Sequence, residues 1–170
     1  MSIRSKNPTV ILVPYDGSEP SEKALGRGLA LAASLAGEAE ITLLNVVQEL
    51  VLTATVFERP RFRSKLSGEE ISSEALGKEL TEDLKGKMAT MLDKKKLEIQ
   101  RKDPGKSIRV RTKTLLGYPV DEILRHAKEE NVDMIVVGSV GLSGVQRLKA
   151  LGSISRGVTE RATCPVLVVH

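Results

Sequence analysis

Three glycines stand three residues apart in Gly138-Ser-Val-Gly141-Leu-Ser-Gly144, and a Gly152-Ser153 pair follows downstream. Glycine carries no Cβ, so backbone N–H groups in such a segment can converge on an anion without side-chain interference. The Gly-Ser pair opens a predicted helix, whose N-terminal amides and dipole favour a phosphate, and the Ser153 hydroxyl adds a further donor. Two amide-rich ends of this kind would grip a di- or triphosphate between them, with Arg147 and Lys149 adding charge from the stretch between. The alternative is that these glycines only make a tight strand-to-helix connection. Residue types alone leave both readings open.

Nothing beside this segment points to catalysis. His126 is expected on a helix opposite its apolar face, hence at the surface, and His170 is terminal. Neither has the neighbouring carboxylate or nucleophile that acid–base chemistry requires. Cys164 precedes Pro165 at a helix end and reads as a small packing residue. No catalytic residue and no metal ligand is assigned. Two competing nucleotide motifs fail on spacing. Gly105-Lys106-Ser107 resembles the tail of a P-loop, but Gln100 occupies the required upstream glycine position and a strand follows. Gly26 and Gly28 lack the third glycine of a dinucleotide fingerprint and fall inside a helix.

The totals narrow the classes. A chain of 170 residues suits one domain with a proper core, and 41% hydrophobic against 28% charged is ordinary for a globular protein. Aromatics make up 2%, so the core must be Val, Ile, Leu and Ala, which favours a parallel sheet under helices. The net charge of +4 is mild and interspersed; without stacking aromatics it does not suggest a nucleic-acid partner. A single cysteine excludes an intrachain disulfide and a multi-cysteine zinc site. The polar N-terminus lacks a signal peptide's apolar run, and no stretch approaches a membrane span. The expected location is the cytoplasm, with no membrane partner.

The elements that must position the glycines follow from periodicity. Val10–Pro14 reads as a buried strand ending at Asp16-Gly17-Ser18, where Ser18 is a helix N-cap with Glu19 and Pro20 in the first turn. Leu25, Gly28, Leu29, Ala32 and Ala36 recur at helical spacing, and Ile41–Val47 is a second strand. Residues 48–68 show no clean period and carry Pro60 and a basic cluster, so a flexible excursion is expected there. Leu76, Leu80, Leu84, Met88 and Met91 form the apolar stripe of a long helix over about 69–101, stopped by Asp103-Pro104-Gly105. Ser107–Leu115 alternates charged and apolar residues as an edge strand does. Gly117-Tyr-Pro119 begins a helix with Val120, Ile123, Leu124 and Ala127 on one face. Met134–Val137 is a central strand, Ser153–Arg161 a last helix and Val166–Val169 a last strand. Strands alternating with helices predict an α/β fold, a doubly wound parallel sheet with helices on both faces and ligands at the strands' carboxyl ends.

Val10-Ile-Leu-Val-Pro-Tyr-Asp-Gly-Ser18, Gly117-Tyr-Pro-Val-Asp-Glu-Ile123, Asp133-Met-Ile-Val-Val-Gly-Ser139, the glycine-rich segment and Cys164-Pro-Val-Leu-Val-Val169 resemble the universal stress protein family, in the right order. The resemblance implies one domain over residues 8–170, with a five-stranded parallel sheet in the order 3-2-1-4-5 and a Rossmann-like, adenine-nucleotide-hydrolase-like fold. It implies a stress-response regulatory protein binding ATP or AMP, with Mg²⁺ accompanying ATP and at most weak ATPase activity. By similarity, Asp16 would hold ribose hydroxyls or the adenine edge, though a helix-capping turn also explains it. Pro14 and Val46 would wall the adenine, and the Val137 main chain would lie against the base. Gly138, Gly141, Gly152, Ser153 and the Ile154 amide would take ribose and phosphates. The family's nucleotide-binding branch places nine residues between its second and third motif glycines. Leu142–Leu151 is ten. That departure keeps an alternative open, a nucleotide-free dimeric interaction module of the same fold. The apolar edge strand Val166–Val169 and the resemblance both imply a homodimer through that strand.

Overall fold

The computed structural model describes residues 8–35, 37–52, 62–102, 108–139 and 151–170. The first apolar run forms β1 (Thr9–Pro14), and the Asp16-Gly17-Ser18 turn leads into α1 (Glu19–Ser34). Ser18 caps this helix, its Oγ accepting the Ser21 N–H at 3.4 Å, with Pro20 in the first turn. β2 (Ala39–Val47) follows, then the short strands β3 (Phe62–Arg63) and β4 (Glu70–Ile71), and the long helix α2 (Ser73–Lys102). β5 (Ile108–Leu116), α3 (Pro119–Glu129), β6 (Met134–Gly138), α4 (Ser153–Arg161) and β7 (Val166–Val169) complete the chain.

Five strands make one parallel sheet in the spatial order β5-β2-β1-β6-β7. With the antiparallel β3–β4 hairpin counted apart, this is the 3-2-1-4-5 order the resemblance implies. The chain winds from β1 through β2 to β5 on one side, then returns to β6 and β7 on the other. Direction therefore reverses between β1 and β6, and such switch points open a crevice at the carboxyl ends of the strands.

Alternation along β1 divides the core into two layers. Ile11 and Val13 pack with Leu25 of α1, Leu92 of α2 and Ile41 and Leu43 of β2. Leu12 packs on the opposite face with Leu44, Ile123 of α3, Ile135 and Val158 of α4. Among the described residues Tyr15 is the only aromatic in this core, as the composition requires.

The helix α2 is longer than the sheet it covers. Its 30 residues extend about 45 Å, against about 30 Å for the nine residues of β2. Leu92 is fully buried, with Met91 and Ile99 packed beside it, whereas Leu76, Leu80, Leu84 and Met88 are half-buried. The upstream half carries neighbouring chain instead. Thr81 Oγ1 accepts the Leu50 N–H at 2.9 Å, and the Glu79 carboxylate accepts the Ser64 hydroxyl and the Lys65 N–H, each at 2.8 Å. Phe62–Arg63 then pairs with Glu70–Ile71, a hairpin that the composition of the 48–68 excursion does not foreshadow. Residues 53–61 of that excursion, with Pro60, and the Asp103-Pro104-Gly105 stop lie outside the described residues.

One correction concerns α3. Its apolar spacing places His126 at the surface, but the residue is 7% exposed, and its Nε2 finds no hydrogen-bond partner among the described residues. The covered face of α3 is wider than its aliphatic stripe and takes in His126 next to Ile123 and Ala127. Burial holds the imidazole below its usual pKa of 6.5. The unfolded chain then binds a proton more readily than the folded one, so stability is retained above about pH 6.5 and lost as pH falls below it. Urea unfolding between pH 5 and 8 should show this decline, and H126L should flatten it.

Candidate functional site

The site begins where β1 ends. Tyr15 donates its N–H to the Leu44 carbonyl at 2.8 Å, and its carbonyl accepts the Asn45 Nδ2–H at 2.8 Å. Asn45 is 6% exposed, so this amide is a buried polar group satisfied by holding the bend after β1. The Tyr15 hydroxyl donates to the Glu22 carboxylate, which also pairs with Lys95 at 2.7 Å. Burial and then the hydrogen bond to Glu22 push the phenol up to about 12, so it remains a donor.

Asp16 follows. Its Oδ1 accepts the Ser18 N–H at 3.0 Å and the Ser18 hydroxyl at 2.5 Å. Gly17 supplies the turn's positive φ of 79°. The helix-capping role of Asp16 is therefore observed, and the same residue lines the crevice described next.

That crevice, about 420 Å³, lies at the β1–β6 switch point. Pro14, Asp16 and Val46 line it from β1, its turn and β2, and Val137 and Gly138 line it from β6. Gly152, Ser153 and Ile154 close it from the start of α4. Eight of the nine residues singled out in the sequence thus share one cavity. The ninth, Gly141, lies outside the described residues, as do Gly144, Arg147 and Lys149. Asn45, Ser21, Ser155, Pro119 and Ile123 also line the cavity and were not singled out. For Asn45 a signal existed, a lone amide in the otherwise apolar end of β2. Pro119 and Ile123 start the helix after β5 at the same end of the sheet.

The glycines do different jobs here. A Cβ on Gly138 would stand 2.6 Å from the Pro20 carbonyl oxygen, so its bareness lets β6 approach the first turn of α1. Gly152 is the N-cap of α4 and supplies no side-chain cap. Its N–H donates to the Ser139 carbonyl at 2.7 Å, and Arg156 N–H closes the first helical turn on the Gly152 carbonyl at 2.9 Å. The amides of the first helical positions, Ser153 and Ile154, have no intrahelical acceptor. No acidic residue sits in that first turn, whereas α1 has Glu19 and Glu22 in its own. The α4 end therefore presents the positive end of its dipole to the crevice with no acid in its own first turn. Asp16 is the one carboxylate among the described residues lining it, and no imidazole, thiol, ammonium or guanidinium joins it.

The sequence model of the universal stress protein family matches residues 8–170. The chain belongs to that family. Its relatives include the universal stress protein YxiE of Bacillus subtilis, 36% identical over 160 residues, covering 94% of this chain and 97% of that one. The universal stress protein MJ0577 of Methanocaldococcus jannaschii is 35% identical over 166 residues, covering 94% and 93%. Among solved structures, UspA from Lactobacillus plantarum superposes with a TM-score of 0.73 at 22% identity, over 95% of this chain and 97% of that chain. A universal stress protein in complex with cAMP gives 0.58 at 22%, covering 96% and 97%. A family protein from Arabidopsis thaliana with AMP bound gives 0.56 at 19%, covering 95% and 91%. Both nucleotide-bound structures share the fold.

Because Gly138 faces backbone rather than a movable side chain, G138A should cost about 1–3 kcal/mol of stability, read as a lower urea midpoint at unchanged slope.

Proposed function

We propose that this chain binds an adenine nucleotide, ATP or AMP, in the crevice between β1 and β6. The observation that carries the reading is the gathering of Pro14, Asp16, Val46, Val137, Gly138, Gly152, Ser153 and Ile154 around one cavity of about 420 Å³. That volume falls in the range of small-molecule sites. Pro14 and Val46 offer apolar walls for the base, Asp16 an acceptor for ribose hydroxyls, and the α4 amides a seat for phosphate. The cAMP- and AMP-bound family structures support the same chemistry. Mg²⁺ would arrive with ATP, held chiefly by the phosphates. With no cation among the described lining residues, and the one carboxylate there, Asp16, engaged in the Ser18 turn, hydrolysis is expected to be slow, below about 1 s⁻¹. The role is regulatory, within a single domain over residues 8–170 located in the cytoplasm, and the described residues contain no helix long and apolar enough to cross a membrane.

Mass spectrometry of ligand released from denatured protein, with calorimetry of the purified chain, tests this reading. ATP, ADP or AMP should be carried or should bind below millimolar concentration. Absence of all three favours the nucleotide-free module, the reading for which the ten-residue spacing Leu142–Leu151 speaks.

The proposal includes a homodimer through β7. This strand pairs with β6 alone among the described residues, and Leu167 on it is 39% exposed. The other sheet edge, β5, exposes Arg109, Arg111 and Lys113, charges that discourage pairing between chains. Two of these cations are engaged by the buried Glu40 carboxylate, Arg111 at 3.1 Å and Arg109 at 3.6 Å, so β5 is a poor phosphate-tracking stripe for nucleic acid. L167K should shift the chain from dimer to monomer in light scattering; a monomeric parent protein would contradict this assignment.

A further inference from the structure

Ser155 is 2% exposed and sits at the third helical position of α4. Alanine would serve helix propensity better there, so the hydroxyl has another use. Ser139, just past β6, is fixed by the sheet, its N–H donating to the Val169 carbonyl at 2.8 Å. Its carbonyl accepts two hydrogen bonds from α4, the Gly152 N–H at 2.7 Å and the Ser155 hydroxyl at 2.8 Å. The same hydroxyl lies 3.0 Å from the Gly152 carbonyl.

A helix end tied by one hydrogen bond can pivot about it. A second bond to the same acceptor, from one turn further along, removes that freedom. We propose that Ser155 is a positioning residue that clamps the start of α4 to β6 through Ser139, presetting the Ser153 and Ile154 amides toward nucleotide phosphates. This rests on the nucleotide reading above. Ser155 borders the crevice, but its hydroxyl is spent on the Ser139 carbonyl, so its effect on the nucleotide runs through the α4 amides. Preorganised donors bind an anion without reordering at the moment of contact.

The test is calorimetry on the full chain with two ligands, ATP and adenosine, which differ only in the phosphates. S155A should weaken ATP by about tenfold, the scale of one lost hydrogen bond, while adenosine stays within about twofold. S155T, which keeps the hydroxyl, should restore ATP binding. S155C, which fills the space with a weak donor, provides a second loss variant should S155A fold poorly, and should also weaken ATP selectively. Equal losses for both ligands, or no loss for ATP, overturn the clamp while leaving the nucleotide reading intact. An unsubstituted chain that binds neither ligand overturns both.

Discussion

Parallel pairing of β1 with β2 on one side and β6 on the other brings Pro14 and Gly138 to the same end of the sheet. The rest of the site depends on that adjacency. Because connections between parallel strands are right-handed, the helices after β1 and β6 diverge to opposite faces, and a crevice remains where they part. Gly138 permits the close approach, since a Cβ there would strike the Pro20 backbone. Asn45 and Ser139 then fix the two rims, one through the Tyr15 carbonyl and the other through Gly152 and Ser155.

The helix N-termini around the crevice are finished differently, and this sorts their roles. The α1 end is neutralised internally: Ser18 caps it, and Glu19 and Glu22 oppose its dipole. The α3 end begins at Pro119, which has no N–H to offer. The α4 end alone among the three combines an uncapped glycine start with a first turn free of acid. An anion therefore gains most at α4. In the proposed nucleotide reading, the base and ribose would fall to the β1–β2 side, where Pro14 and Val46 are apolar and Asp16 would accept from the ribose.

Much of this was legible in the sequence because its signals are local. β-branched runs ending at Pro14 and Gly138 mark buried strands, and Ser18 and Gly152 mark helix starts. The alternation at Arg109, Arg111 and Lys113 marks an edge. What escaped detection depends on tertiary neighbours. His126 looked exposed because the aliphatic stripe of α3 is narrower than the face the fold covers. The packing constraint on Gly138 gives no sequence signal, because Pro20, which a Cβ there would strike, is distant in sequence. Ser155 gave no signal, since a serine one turn into a helix becomes informative only when Ser139 is seen beside it. The half-burial of Leu76–Met88 reflects the overhang of α2, which depends on the length of the sheet rather than on the helix's own pattern.

Backbone amide chemical-shift mapping during an ATP titration tests the central claim most directly. The account predicts the largest shifts at Ser153, Ile154, Val137, Gly138 and Asp16, all around one crevice. Shifts concentrated in the groove between α1 and α2, lined by Leu29, Lys95 and Ile99, or no shifts at millimolar ATP, would contradict it.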